Sequence, residues 1–387
     1  MKTIFWLSAF IVFYTYLGYG IILFLLVKIK ERFFPVKKVP FSDDYPDVTL
    51  LIAAYNEESV IQEKMQNCRK LIYPEGKLQF FWITDGSNDK TNELLAAYPE
   101  VSVFHQPERK GKTAALNRGM TFVKTPLVVF TDANTMLNQD AIQEMIKPFA
   151  DPKVGCVAGE KRIEQKEKGD ATAGEGIYWK YESTLKSLDD RLYTAVGAAG
   201  ELFAIRQDLF ENMPEDTLLD DFILSMHIAQ KGYKIAYCKT AYAIEDPSSN
   251  MKEEEKRKIR IAAGGLQSIY RLRSLLNPFR YGTLSFQYIS HRVLRWSLTP
   301  IVFFALFPLN IVLLWSDKPV FYGLLLTLQV LFYLAGIWGH RCAEKQIRNK
   351  LFYIPYYFLF MNLSVLKGIR YLKNKKGSGT WEKSKRG

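Results

Sequence analysis

The sequence predicts an α/β domain on a mostly parallel sheet, set between transmembrane helices and joined to them by cytoplasmic interfacial helices. Three observations carry this reading. Apolar, β-branched runs alternate with helical segments through the middle of the chain. Long uncharged stretches stand at both ends. Polar turns containing Asp, Asn and Gly fall where successive strands should end. At 387 residues the chain exceeds one small domain, and 48% hydrophobic and 14% aromatic residues exclude disorder as a description of the whole. Lys and Arg total 52 against 40 Asp and Glu, a net charge of +12 that calls for an anionic partner. These cations gather beside the hydrophobic stretches and no RNA-binding aromatic motif is present, so a lipid bilayer is the expected partner and nucleic acid is not. The four Cys are widely spaced with no C-x-x-C pattern, which suits reduced thiols rather than a disulfide framework.

Taken in order, residues 1–30 form an N-terminal transmembrane helix. Ile4–Val27 carries no charge, is long enough for a hydrocarbon core of about 30 Å, and runs into Lys28, Lys30 and Arg32. Residues 45–250 form the α/β domain. Its strands begin with Val48–Ala53, Gln79–Thr84, Val101–Phe104 and Leu127–Thr131, with helices expected at Glu57–Leu71, Asn92–Ala97 and Lys112–Val123. Residues 251–296 read as interfacial helices, because charged and apolar residues alternate along amphipathic faces. Residues 297–366 are the C-terminal membrane region. Ser297–Trp315 and Pro319–Gly339 are uncharged and separated by Ser316-Asp317-Lys318, the pattern of a helical hairpin. Leu351–Leu366 is shorter and contains Pro355; it either crosses the bilayer or lies in its interface. Residues 367–387 are a basic tail. Lys and Arg after the first helix and in Arg341–Lys350 place both on the cytoplasmic side, in a multi-pass protein of the cell membrane; the basic tail joins them if Leu351–Leu366 lies in the interface and sits outside if it crosses.

In a parallel sheet, ligands bind beyond the carboxyl ends of the strands. Here those ends carry Tyr55-Asn-Glu57, Asp85-Gly-Ser and Asp132-Ala-Asn134, so polar groups collect along one edge where a nucleotide can sit. Asp132 offers a carboxylate to a hard divalent cation. Gly111 before a helix starting at Lys112 makes a turn suited to phosphate.

Ala53-Ala-Tyr-Asn-Glu-Glu58, Thr84-Asp-Gly-Ser-Asn-Asp89, Gly111-Lys-x-x-Ala-Leu-Asn117, Asp132-Ala-Asn134, Gly197-Ala-Ala-Gly200, Asp220-Asp221 and Arg257-x-x-Arg260 follow one another in order along the chain, and Trp381–Arg386 closes it. This ordered set resembles the family 2 glycosyltransferases of GT-A fold, in the membrane-embedded branch that includes cellulose and hyaluronan synthases. The resemblance implies an inverting glycosyltransferase that moves a sugar from a nucleotide-sugar donor, UDP-linked, onto a growing polysaccharide. The alternative is single addition to a lipid acceptor such as a polyprenyl phosphate or glycolipid. It implies nucleotide contacts from Ala53, Tyr55, Glu57, Asp85, Lys112 and Asp132, with Mg²⁺ or Mn²⁺ held by Asp132 and Asn134. It further implies diphosphate contacts from Arg257 and Arg260, acceptor contacts from Gly200 and Asp220, and Asp221 as the catalytic base. The chain departs from the family pattern twice: Asn134 replaces the second Asp of Asp-x-Asp, and Ile261 stands where a Trp stacks on the acceptor sugar.

Overall fold

A computed structural model describes residues 1–34, 39–42, 44–163, 170–246, 250–344 and 350–374. The Trp381–Arg386 motif and the tail beyond residue 374 lie outside the described residues. Eight strands form one sheet: β1 Val48–Ala54, β2 Leu78–Asp85, β3 Val101–Gln106, β4 Leu127–Asp132, β5 Thr135–Leu137, β6 Val154–Ile163, β7 Leu202–Arg206 and β8 Lys234–Glu245. Their spatial order is β3-β2-β1-β4-β7-β6-β8-β5. The first half, β3-β2-β1-β4, is parallel throughout. Beyond β4 the sheet turns mixed, because β7 pairs antiparallel with both β4 and β6, and β5 antiparallel with β8. The expected parallel sheet therefore describes the β3-β2-β1-β4 half.

Strand β1 shows why such a run reads as continuously apolar. Leu50 and Ile52 point into one core with Trp82 and Val129, while Leu51 points into the other with Ile83 and Phe130. Both faces are covered, so no polar alternation survives.

The helices of the domain are α2 Ile61–Arg69, α3 Thr91–Ala96, α4 Lys112–Met120 and α5 Ala141–Ile146, followed by α6 Asp170–Leu192, α7 Asp220–Gln230 and α8 Met251–Arg271. Helix α2 starts at Ile61 rather than Glu57. Asn56 takes a left-handed φ of 52° and residues 57–60 form a turn. That turn is tied to the next strand end: the Asn56 N–H donates to Ser87, the Glu57 N–H to Thr91 and the Glu58 N–H to Asp89. Much of Ser87-Asn-Asp89 thus serves to hold two strand-end loops together.

Helix α1 spans Lys2–Phe33, widened by one π turn at Tyr14–Gly18. Near the other terminus lie α9 Thr283–Trp296, α10 Leu298–Leu313, α11 Pro319–Glu344 and α12 Lys350–Asn374. By length and composition, α1 and α11 are long and apolar enough to cross a membrane. The first arm of the expected hairpin falls short alone. Helix α10 reaches spanning length only together with α9, from which it is bent by 51° at Ser297. Helix α12 stays helical through Pro355, which removes one backbone hydrogen bond in its second turn. It packs along both α8 and α11, while α1 packs along α10 and α6.

Candidate active site

The site begins at the parallel strand ends. Asp85 ends β2 and accepts hydrogen bonds at Oδ2 from the backbone N–H groups of Lys110 (3.0 Å) and Gly111 (2.6 Å). Gly86, at φ 70°, lets this loop close, since a Cβ there would strike the Arg109 backbone. Asp85 Oδ1 is buried without a hydrogen-bond partner among the described residues, an acceptor left for a ligand. Beside it the Arg109 guanidinium lies 3.8 Å from the centre of the Tyr55 ring. Ala53 pairs with Asp132 in the β1–β4 register, so the ends of these two strands meet.

Asp132 faces the N-terminus of α4. Lys112 Nζ donates to Asp132 Oδ1 at 2.6 Å and lies 3.8 Å from Asp220 Oδ2. Burial opposes the Lys112 charge, but Asp132 and Asp220 outweigh it and raise its pKa above the ordinary lysine value. Two further side chains of α4 set the register of this contact. Thr113 donates to the Thr217 carbonyl (3.1 Å), and Asn117 exchanges hydrogen bonds with the backbone of Met213. They fasten α4 to the segment leading into α7, while Gln267 and Arg271 fasten α8 to that same segment through Leu218 and Asp216.

Helix α7 opens with Asp220 and Asp221, acids that complement a helix N-terminus. Burial raises the Asp221 pKa, Asp220 and Glu201 raise it further, and Lys112 opposes them; it is pushed up to about 7. A carboxylate so poised can take a proton at neutral pH. Gly200 lies between Lys112 and Asp221: a Cβ placed there would come within 3.4 Å of Lys112 Nζ and 3.5 Å of Asp221 Oδ2. Position 200 thus keeps open the space that both side chains face.

These groups line one end of a cavity of about 760 Å³. Lys112, Asp132, Gly200, Asp220, Asp221, Arg257 and Arg260 share it, together with Ile261. Ala53, Tyr55, Glu57 and Asp85 lie along the adjoining sheet edge and Asn134 in the turn after β4, all outside its lining. Arg257 is clamped by Glu254 through two 2.9 Å hydrogen bonds. The far end of the cavity is walled by Phe13 and Leu17 of α1 and by Ile354 and Phe358 of α12.

Some site residues escape the motif pattern. Lys64 is fully buried beneath the β4–β5 turn, donating to the Thr135 carbonyl (2.6 Å); burial lowers its pKa to about 8. Its signal was available, since it shares a helical face with Ile61, Met65 and Cys68. Lys161 is buried between Glu201 and Glu245. Lys186, Arg292 and Arg295 enter the cavity from α6 and α9, and Glu182 pairs with Arg292 (2.6 Å) and Arg295 (3.0 Å). No local motif marks these, because the fold alone brings α6 and α9 beside α7.

A divalent cation fits this donor set. The Asp132 carboxylate is about one-quarter exposed (28%) and already attracts an ammonium that Asp220 shares, and Mg²⁺ or Mn²⁺ needs only one or two carboxylates when substrate phosphates complete its shell. No group of three His, Cys, Asp or Glu converges among the described residues, so such an ion would depend on the substrate.

The curled eight-stranded sheet, parallel on one side and mixed on the other, with an acid-lined cavity at its strand ends, defines a GT-A-type fold. The structure matches that of a mannosyltransferase from Pyrobaculum calidifontis, solved with GDP-Man and Mn²⁺, at a TM-score of 0.71 and 21% identity, covering 96% of this chain and 100% of that one. Residues 49–213 match Glycosyl transferase family 2, so this segment is similar to that family's domain. It is 30% identical over 241 residues to a poly-β-1,6-N-acetyl-D-glucosamine synthase of Staphylococcus aureus, covering 59% of this chain and 57% of the relative. It is 31% identical over 199 residues to a β-monoglucosyldiacylglycerol synthase of Trichormus variabilis, covering 47% of this chain and 41% of the relative. The chain therefore spans about half the length of the curated relatives it matches.

Proposed function

We propose that this chain is a membrane-anchored, inverting glycosyltransferase that moves a sugar from a nucleotide sugar, UDP-linked, to an acceptor hydroxyl presented from the bilayer. One observation carries the reading: Asp221, Lys112 and Asp132 share a cavity also lined by Phe13 and Leu17 of the long apolar helix α1 and by Ile354 and Phe358 of α12. Asp85, Glu57, Tyr55 and Ala53 receive base and ribose along the sheet edge. Lys112 and Arg260 hold the diphosphate, with Arg257 beside it, oriented by Glu254. Asp132, assisted by Asn134, would hold Mg²⁺ or Mn²⁺, which neutralises charge on the departing diphosphate. Gly200 and Asp220 border the acceptor end. The acceptor oxygen attacks the anomeric carbon from the face opposite the diphosphate, and Asp221 takes its proton. The C1–O bond to the diphosphate breaks with its electron pair leaving on the nucleotide, which inverts the configuration.

Two observations bear on the acceptor. Ile261 lines the cavity where an indole would grip a polymer, and the α1–α12 wall is apolar; both support an acceptor carried on a lipid. Similarity to the poly-N-acetylglucosamine synthase supports a growing polysaccharide instead. Product analysis decides. Purified chain in lipid is given nucleotide sugars and a lipid extract, and products are partitioned between organic and aqueous phases. A lipid product gaining one or a few sugars supports the first reading, and long aqueous polymer the second. Donors left uncleaved under every condition would overturn the proposal as a whole.

A further inference from the structure

The cavity holds a cation that the transfer step does not use. Lys186, on α6, is 6% exposed and lines the cavity, yet it makes no hydrogen bond or ion pair among the described residues. Its Nζ lies 6.0 Å from the centre of the Tyr237 ring. A buried ammonium with no direct hydrogen bond or ion pair is costly, and a ligand anion would satisfy it. Burial and the nearby Arg292 lower its pKa, opposed in part by Glu182, Glu201 and Asp221. Arg292 joins it in the cavity lining, one hydrogen-bonding edge turned to Glu182 (2.6 Å) and the Val196 carbonyl (3.2 Å). The mouth nearby has the opposite character. Phe13 and Leu17 of α1 and Ile354 of α12 line the cavity and are each more than half exposed on the outer surface.

We propose that Lys186, with Arg292, is the docking point for the phosphate of an acceptor lipid, whose chains leave the cavity between α1 and α12 and whose hydroxyl-bearing headgroup extends to Asp221. This deepens the function proposed above and rests on it. An apolar mouth with a cationic floor matches a lipid bearing a phosphate ester, and does not match a neutral glycan or a diacylglycerol. The carrier is either a hydroxyl-bearing phospholipid or a prenyl-linked phosphate ester; the phosphate is their shared chemistry. It anchors the acceptor without reacting. The hydroxyl oxygen forms the new bond to the anomeric carbon, its proton passes to Asp221, and the nucleoside diphosphate departs with the electron pair.

The test uses the full-length chain in detergent, with thermal stabilisation by short-chain phosphatidylglycerol, farnesyl diphosphate, short-chain diacylglycerol and glycerol phosphate as the readout. The wild type should be stabilised by one or both phosphate lipids, and by neither diacylglycerol nor glycerol phosphate. Lys186→Gln and Lys186→Met remove no hydrogen bond or ion pair among the described residues and should fold. Each should weaken the lipid response roughly ten- to hundredfold, the value of one charge-assisted hydrogen bond, and leave UDP binding unchanged. Equal lipid responses in wild type and both variants would overturn the docking point. Equal binding of glycerol phosphate would reduce it to a free-phosphate site, and equal binding of diacylglycerol would remove the phosphate from recognition. Nucleotide-diphosphate release, followed in parallel, separates the two levels: release supported by diacylglycerol and by neither phosphate lipid sinks the docking point alone, whereas no release with any acceptor sinks the glycosyltransferase reading.

Discussion

Asp221 concentrates the chemistry in one carboxylate whose ionisation is costly. Burial first, then Asp220 and Glu201, push its pKa up to about 7, far above the ordinary aspartate value. A folded-state pKa raised in this way stabilises the fold fully only below the unfolded value near 4, and that contribution is lost as pH rises through about 7. Asp221→Asn should therefore unfold at a higher temperature than wild type above pH 7, a difference that shrinks as pH falls and vanishes only below about pH 4; thermal melts across that range check it. The same variant should lose about 10²- to 10⁴-fold in turnover while still binding donor nucleotide, and wild-type activity should rise with pH through the neutral range. At this scale legibility was uneven. Asp85, Asp132 and Asp221 stand out because each polar group ends an apolar strand or opens an apolar helix. Lys186 does not, because its significance is what surrounds it: helices α6 and α9 meet only in the folded chain, and nothing near position 186 announces a cavity.

Among the elements, α8 and the α11–α12 pair shape the two ends of the cavity. Arg260→Ala should weaken both diphosphate binding and turnover, since a guanidinium facing charge that grows in the transition state contributes to each. Arg257→Ala should instead cost stability, because Glu254 would lose its two 2.9 Å hydrogen bonds in a buried setting. Calorimetry and nucleotide titration on each variant separate these outcomes. Helix α12 approaches α11 at Gly336 and Gly339, where added Cβ atoms would run into Leu359 and the Phe352 carbonyl. Gly339→Leu should push the helices apart at a cost of about 1–3 kcal/mol and raise the KM for acceptor without changing that for donor. Element boundaries were legible where period and length agree, as in β1 and β4. They were not legible at residues 57–60, where hydrogen bonds from the neighbouring loop override helix propensity, whereas the bend at Ser297 falls where the interfacial segment was expected to end.

Across the whole molecule, the apolar helices and the basic excess argue for a catalytic domain on the cytoplasmic side, where nucleotide sugars are made. Protease added outside intact, sealed cells should leave the central domain whole, and its cleavage would reverse the orientation. Excess chelator should abolish turnover, because Asp132 and Asn134 with substrate phosphates are a weak set unless the ion itself is abundant. The strand-end motifs made the parallel half of the sheet legible. The mixed half was not, since the pairing of β6, β7 and β8 joins segments far apart in sequence. The central claim, inverting transfer from a nucleotide sugar in the Asp221 cavity, is tested most directly by the anomeric configuration of the product formed by purified chain from an α-linked nucleotide sugar, read by nuclear magnetic resonance. The account predicts a β-linked product from wild type and none from Asp221→Asn; an α-linked product, or undiminished synthesis by the variant, would contradict it.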